Sequence, residues 1–187
     1  MSRTAVVLFA GDPRREEVQK GLPARFLARL HDRLTRTIRR FDVDLFIADD
    51  IAVGSLAHKI DHAFAIPFAR GYERVIVLAG DIVLRPSILQ RAIESSETLI
   101  GRTCDGGFYI LACSERPRID WTSLTSDDVA AQLDCGFLPQ LRDVDSINDA
   151  RIVAPDLIPR IEQRPRNRAT PQPAQPLNQL RAPPRAA

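Results

Sequence analysis

The chain of 187 residues is poor in cysteine: it has three, Cys104, Cys113 and Cys135. An odd number without a Cys-x-x-Cys spacing excludes a disulfide framework and a cysteine zinc site. Such usage suits a reducing compartment, and the cytoplasm is the expected location. No apolar run is long enough to cross a bilayer, and the N-terminus lacks the layout of a signal peptide, so no membrane partner is expected. Charge of one sign is also scarce, since 26 Lys and Arg stand against 24 Asp and Glu, a formal net charge of +2. That small excess is unevenly placed. Residues 159–187 hold six arginines and one glutamate, hence +5, which leaves −3 for the rest of the chain. A body of that charge is poor material for a specific nucleic-acid partner, which calls for a basic face. Missing too are Gly-x-Gly-x-x-Gly and the P-loop signature, so neither a dinucleotide nor a P-loop site is expected.

What remains is ordinary globular material, 44% hydrophobic and 27% charged, and enough of it for one domain with a proper core. Thr4 to Phe9 reads as a buried strand, followed by a polar loop from Gly11 to Pro23. Phe26, Leu27, Leu30, Leu34 and Ile38 recur at helical spacing. Asp42 to Ala48 is a second strand, with Asp49 and Asp50 after its apolar core. A helix opens at Gly54-Ser55, and Pro67 is expected to bend or shorten it. Val75 to Leu78 is apolar on both faces, as in the middle of a parallel sheet, and ends at Gly80-Asp81. Ser87 to Glu94 is a short helix, Leu99 to Gly101 and Phe108 to Ala112 are strands around an Asp105-Gly106-Gly107 turn, and Asp127 to Leu133 is a helix. A last strand from Phe137 to Leu141 precedes Arg142-Asp143-Val144-Asp145, and Ser146 can cap a final helix. Alternating strands and helices predict an α/β/α three-layer sandwich with a mostly parallel sheet. Residues 1–157 form that domain. Residues 158–187 are expected to be a disordered tail, because seven of the chain's 14 prolines fall at 159 or beyond and little apolar area is there to offset ordering.

Ligands of open α/β sheets sit beyond the carboxyl ends of the strands. Three loops would open there. The Gly11–Lys20 loop, with Gly11, Arg14 and Lys20, offers N–H groups and cations suited to a phosphate. Gly80 permits close approach of a ligand or backbone, and Asp81 follows it. Asp143 and Asp145 complete a carboxylate set suited to Mg²⁺ or Mn²⁺. The bland alternatives are turn caps for the aspartates and a plain β-turn for Asp105-Gly106-Gly107. Trp121, the sole tryptophan, is a candidate pocket wall, although the core is the favoured place for it. His58 and His62 share a helix face without a third ligand in view. The arginines between Arg33 and Arg40 read as a solvated helix face.

Read in order, Phe9-Ala-Gly-Asp-Pro13, Val77-Leu-Ala-Gly-Asp81, Asp105-Gly-Gly-Phe-Tyr109, Trp121-Thr122 and Leu141-Arg-Asp-Val-Asp-Ser146 resemble one family. It is the bacterial glycosyltransferase-A-like family often named radical-SAM/selenodomain-associated transferase. More distantly, the chain resembles the nucleotidyltransferases for molybdopterin and phospholactate. The similarity spans residues 4–152. It implies a nucleotide-diphospho-sugar transferase fold of the glycosyltransferase-A type, and a Mg²⁺ or Mn²⁺ ion held by Asp81 and Asp145, with Asp143 as a further partner. It also implies that Asp105, the candidate catalytic carboxylate, lines the sugar or acceptor side with Gly106 and Gly107. The partner so implied is a nucleotide-sugar or nucleotide. The first loop departs from the family: where the family has Lys-Thr-Arg-Leu, this chain has Gln19, Lys20, Gly21 and Leu22. Three readings stay open: glycosyl transfer from a nucleotide-activated sugar, nucleotidyl transfer, and a catalytically silent nucleotide-binding or scaffold domain.

Overall fold

The computed structural model describes residues 3–52 and 54–158. In chain order the elements are β1 (Thr4–Phe9), α1 (Pro13–Lys20), α2 (Ala24–Ile38), β2 (Asp44–Ile47), α3 (Ala48–Ile51), α4 (Leu56–Ala69), β3 (Arg74–Ala79), α5 (Pro86–Glu94), β4 (Leu99–Thr103), β5 (Phe108–Cys113), α6 (Ser126–Gln132), β6 (Gly136–Leu141) and α7 (Ile147–Val153). The six strands form one sheet in the order β2-β1-β3-β5-β4-β6. The β1–β2, β1–β3 and β4–β6 pairs are parallel, and β5 runs antiparallel to both its neighbours.

The two-residue period of a strand sorts the central side chains between two cores. Val6, Leu8, Ile76 and Leu78 face Leu34 and Ile38 of α2 and Ile88, Leu89 and Ala92 of α5. Ala5, Val7, Val75 and Val77 face Ile60, Ala63 and Phe64 of α4 and Val129 of α6. The three-layer α/β/α sandwich and its mostly parallel sheet are thus as expected from the sequence. A third cluster joins Leu22, Phe26, Leu27 and Leu30 to Val144, Ala150 and Ala154, so α7 closes against α2. Ile158, the first residue assigned to the tail, packs on this cluster; residues 159–187 lie outside those described.

Arg74 opens β3 as a buried cation. Its guanidinium donates to the Ala92 and Glu97 carbonyls and, at 2.7 Å, to the Ser114 hydroxyl. Donors are satisfied there by oxygens at the amino end of the strand, away from Asp81. Pro67 falls in the last turn of α4, and the helix ends two residues later at Ala69.

The Gly11–Pro23 segment corrects the sequence reading. It is not a loop: Pro13–Lys20 is helical, with Asp12 accepting from the Arg14 N–H at its N-terminus and Gly21 in the left-handed conformation, φ 64°, at its end. This helix buries none of its own side chains, so hydrophobic periodicity had nothing to report.

Candidate active-site cleft

Strands β1 and β3 leave the sheet side by side, and the chain then runs from β1 to β2 on one side and from β3 toward β4 on the other. Such a switch point opens a crevice at the carboxyl edge. A cleft of about 650 Å³ lies there. Gly80 sits at its base. A Cβ on Gly80 would stand 2.5 Å from the Phe9 carbonyl oxygen and 2.9 Å from the Ala10 Cα, so the glycine lets the two strand ends close together.

The segment that follows β3, Asp81 and Ile82, and the segment after β6 are tied to each other. The Val144 N–H donates to the Asp81 carbonyl at 2.7 Å, and Ile82 bridges Asp143 in antiparallel fashion. That tie carries Asp143 and Asp145 to the mouth of the cleft beside Asp81. The β4–β5 hairpin supplies Asp105. Its carboxylate accepts from the Thr103 hydroxyl and, at 3.2 Å, from the Gly107 N–H. Gly106 takes φ 96° in the turn, and its carbonyl accepts from the Ser126 N–H at 2.8 Å, seating the hairpin on α6.

Asp105, Asp143 and Asp145 each bring one oxygen within 4.8 Å of the other two. Their environments differ. The Thr103 hydroxyl and the Gly107 N–H hold Asp105 below the usual carboxylate range. Asp143 is pushed up to about 6, first by burial and then by Asp145 and Asp105 beside it. Three oxygen donors and no sulfur or nitrogen suit a hard divalent cation such as Mg²⁺ or Mn²⁺.

Asp81 is engaged otherwise. The Lys20 ammonium lies 2.5 Å from Asp81 Oδ2 and 2.6 Å from Asp145 Oδ1. Burial alone would pull Lys20 down, but the two carboxylates outweigh it and the ammonium titrates above the ordinary lysine range. Glu16, also on α1, accepts from the Gly11 N–H at 2.8 Å and faces His31 Nε2 at 3.5 Å.

Gly11, Lys20, Gly80, Asp81, Asp105, Gly107, Asp143 and Asp145 therefore meet at one cleft. Arg14 does not line it: its side chain is exposed, and Arg15 is the α1 arginine on the cleft wall. Gly106 serves the turn from outside. Trp121 lies in the core rather than on the cleft, stacked on Phe64 with ring centroids 5.9 Å apart. Arg15 was legible as one of the first loop's cations, but sequence reasoning passed over Glu16 and the Asp49–Lys59 pair, which meets at 2.5 Å on the cleft wall. Only the cap residues around α1 could have signalled Glu16. The His58 and His62 rings lie with centroids 4.0 Å apart, tilted by 43°, and the only group of three or more metal-ligating side chains found among the described residues is the aspartate trio.

No protein-family model matches the chain, and no curated protein sequence matches it. Among solved structures it is similar to a protein of Desulfovibrio desulfuricans G20 that is provisionally assigned as a nucleotide-diphospho-sugar transferase. The TM-score is 0.63 with 20% identity, over 81% of this chain and 86% of that one. A looser likeness, TM-score 0.47 with 13% identity over 79% of this chain and 91% of the other, is to the inositol-1-phosphate CTP transferase of T. maritima. The chain thus has the nucleotide-diphospho-sugar transferase fold, as its sequence motifs implied. Among the described residues, no helix is long and apolar enough to cross a membrane.

Proposed function

We propose that the chain is a metal-dependent glycosyltransferase acting on a nucleotide-activated sugar, of the radical-SAM/selenodomain-associated kind that its motifs resemble. The observation that carries this reading is the convergence of Asp81, Asp105, Asp143 and Asp145 with Lys20 at the carboxyl edge of the sheet. The charge of the cleft supports it. Seven acidic side chains line the cleft against three basic ones, so a diphosphate needs an added cation to enter. Asp145 and Asp143, with Asp81 beside them, would hold Mg²⁺ or Mn²⁺, which when bound neutralises a departing nucleoside diphosphate. Lys20 and Arg15 would bind phosphate oxygens. Asp105, kept ionised by Thr103 and Gly107, would orient an acceptor hydroxyl and take its proton.

The experiment is calorimetric titration of the full chain with UDP, GDP, CDP and ADP in the presence of Mn²⁺, followed by donor turnover with the matching nucleotide sugars. Wild type should bind one of the four, and Asp145→Asn should weaken binding by about 10-fold or more. Asp32→Asn, which removes only an exposed pair with Arg36, should bind as wild type does. Pyrophosphate release from a nucleoside triphosphate would indicate nucleotidyl transfer instead. No nucleotide binding at all would favour the silent-domain reading.

A further inference from the structure

Lys20 ends α1 and reaches across the cleft to carboxylates 61 and 125 residues away in sequence. The separations of 2.5 and 2.6 Å are shorter even than ordinary charge-assisted hydrogen bonds, two carboxylates converging on one cation. The lysine side chain is only 19% exposed, whereas Asp145 is 54% exposed. A divalent ion held by Asp145 and Asp81 would need the oxygens that Lys20 now engages. Both cannot be served fully, since a carboxylate oxygen facing an ammonium presents less charge to a metal. The means for Lys20 to leave are built in. It has a flexible four-carbon stem. Its helix buries no side chain of its own, and a left-handed glycine, Gly21, follows directly.

We propose that Lys20 is a resident counter-cation: it occupies the seat between Asp81 and Asp145 until a nucleotide's diphosphate draws its ammonium away, and the divalent ion then gains those carboxylates. Metal and nucleotide binding are thereby coupled through one side chain, each favouring the other, as reciprocity requires. Without nucleotide the protein binds divalent cations weakly. The inference rests on the reading of the cleft as a nucleotide and metal site. The simpler alternative, that Lys20 merely pins α1 to the sheet edge, predicts lost stability on its removal and no gain in metal affinity.

The test is calorimetric titration of MnCl₂ into the full chain for wild type, Lys20→Met and Lys20→Gln, each checked for a cooperative melt. The use of both a methionine and a glutamine variant guards against one that fails to fold. Lys20→Met and Lys20→Gln should bind Mn²⁺ about 10-fold tighter than wild type, and adding Asp81→Asn to Lys20→Met should remove much of the gain. A second titration repeats the series with saturating UDP, GDP, CDP or ADP, whichever wild type binds. The nucleotide should raise wild-type Mn²⁺ affinity by about 10-fold more than it raises that of Lys20→Met. Because nucleotides bind Mn²⁺ in solution equally in both samples, the difference between the two proteins is the informative quantity. Equal Mn²⁺ affinity in wild type and both variants overturns the role given to Lys20 while leaving the cleft's function standing. Absence of both Mn²⁺ and nucleotide binding in all three proteins overturns the function and this inference together.

Discussion

Asp143 is the residue on which the electrostatics of the cleft press hardest. Its carboxyl is pushed up to about 6 from an ordinary 3.8, first by burial and then by its acidic neighbours. The folded state therefore holds a proton that the unfolded chain has lost between those two values. Stability contributed by the protonated form is present at low pH and declines as pH rises through 6. In metal-free protein, Asp143→Asn should gain about 1 kcal/mol at pH 8, the full shift being discounted for the group's partial exposure, and gain little at pH 4. Thermal melts at the two pH values check this, and an equal gain at both would contradict it. The thiols give a second residue-scale test. Cys113 is buried and pushed up to about 12 by that burial, whereas Cys104 is exposed. Iodoacetamide at pH 8 should label Cys104 in the native protein and reach Cys113 only after unfolding, as peptide mass spectrometry would show.

Among the elements, α1 matters most to the cleft and is least supported by packing. It brings Arg15, Glu16 and Lys20 to the wall, yet its own side chains are not buried. Its N-terminus depends on Asp12 accepting from the Arg14 N–H. Asp12→Ala should cost about 1 kcal/mol of helix stability. Native-state hydrogen exchange should show faster exchange confined to residues 13–21, and uniform loosening of the sheet would contradict the local account. The end of β3 behaves differently. On Gly80→Ala the new methyl would meet backbone of the Phe9–Ala10 turn rather than a movable side chain, so a cost of about 1–3 kcal/mol or more is expected in denaturant melts. These two elements also show what the sequence made legible. The apolar run before Gly80 stated its burial on both faces, and Ser146 stated the start of α7 by its capping type. In contrast, α1 has no apolar face, its valine Val18 being exposed, so periodicity was silent. The remaining signals were short-range ones, Asp12-Pro13 at one end and Gly21 at the other.

At the scale of the molecule, the sheet order does what no local pattern could announce. Placing β4 and β6 beyond the antiparallel β5 brings Asp105, Asp143 and Asp145 to the same edge as Asp81. The aspartates were recognisable as candidates from their places after apolar strands. That they share an edge with the cationic first loop was legible as well; the direct contacts of Lys20 with Asp81 and Asp145 were not, because they join segments whose separation only the whole topology sets. Trp121 shows the same limit from the other side: a lone tryptophan fits a pocket wall or a core, and stacking on Phe64 decides for the core. The central claim is that this edge is a site for a nucleotide and a divalent ion. Its most direct test is a crystal structure grown with Mn²⁺ and the nucleoside diphosphate that wild type binds, with data collected for manganese anomalous scattering. The expected result is an anomalous peak roughly 2.0–2.6 Å from oxygens of Asp145 and its neighbours, with the diphosphate beside it in the cleft. A nucleotide seated elsewhere on the protein, or a diphosphate in the cleft with no manganese at the aspartates, would contradict the account.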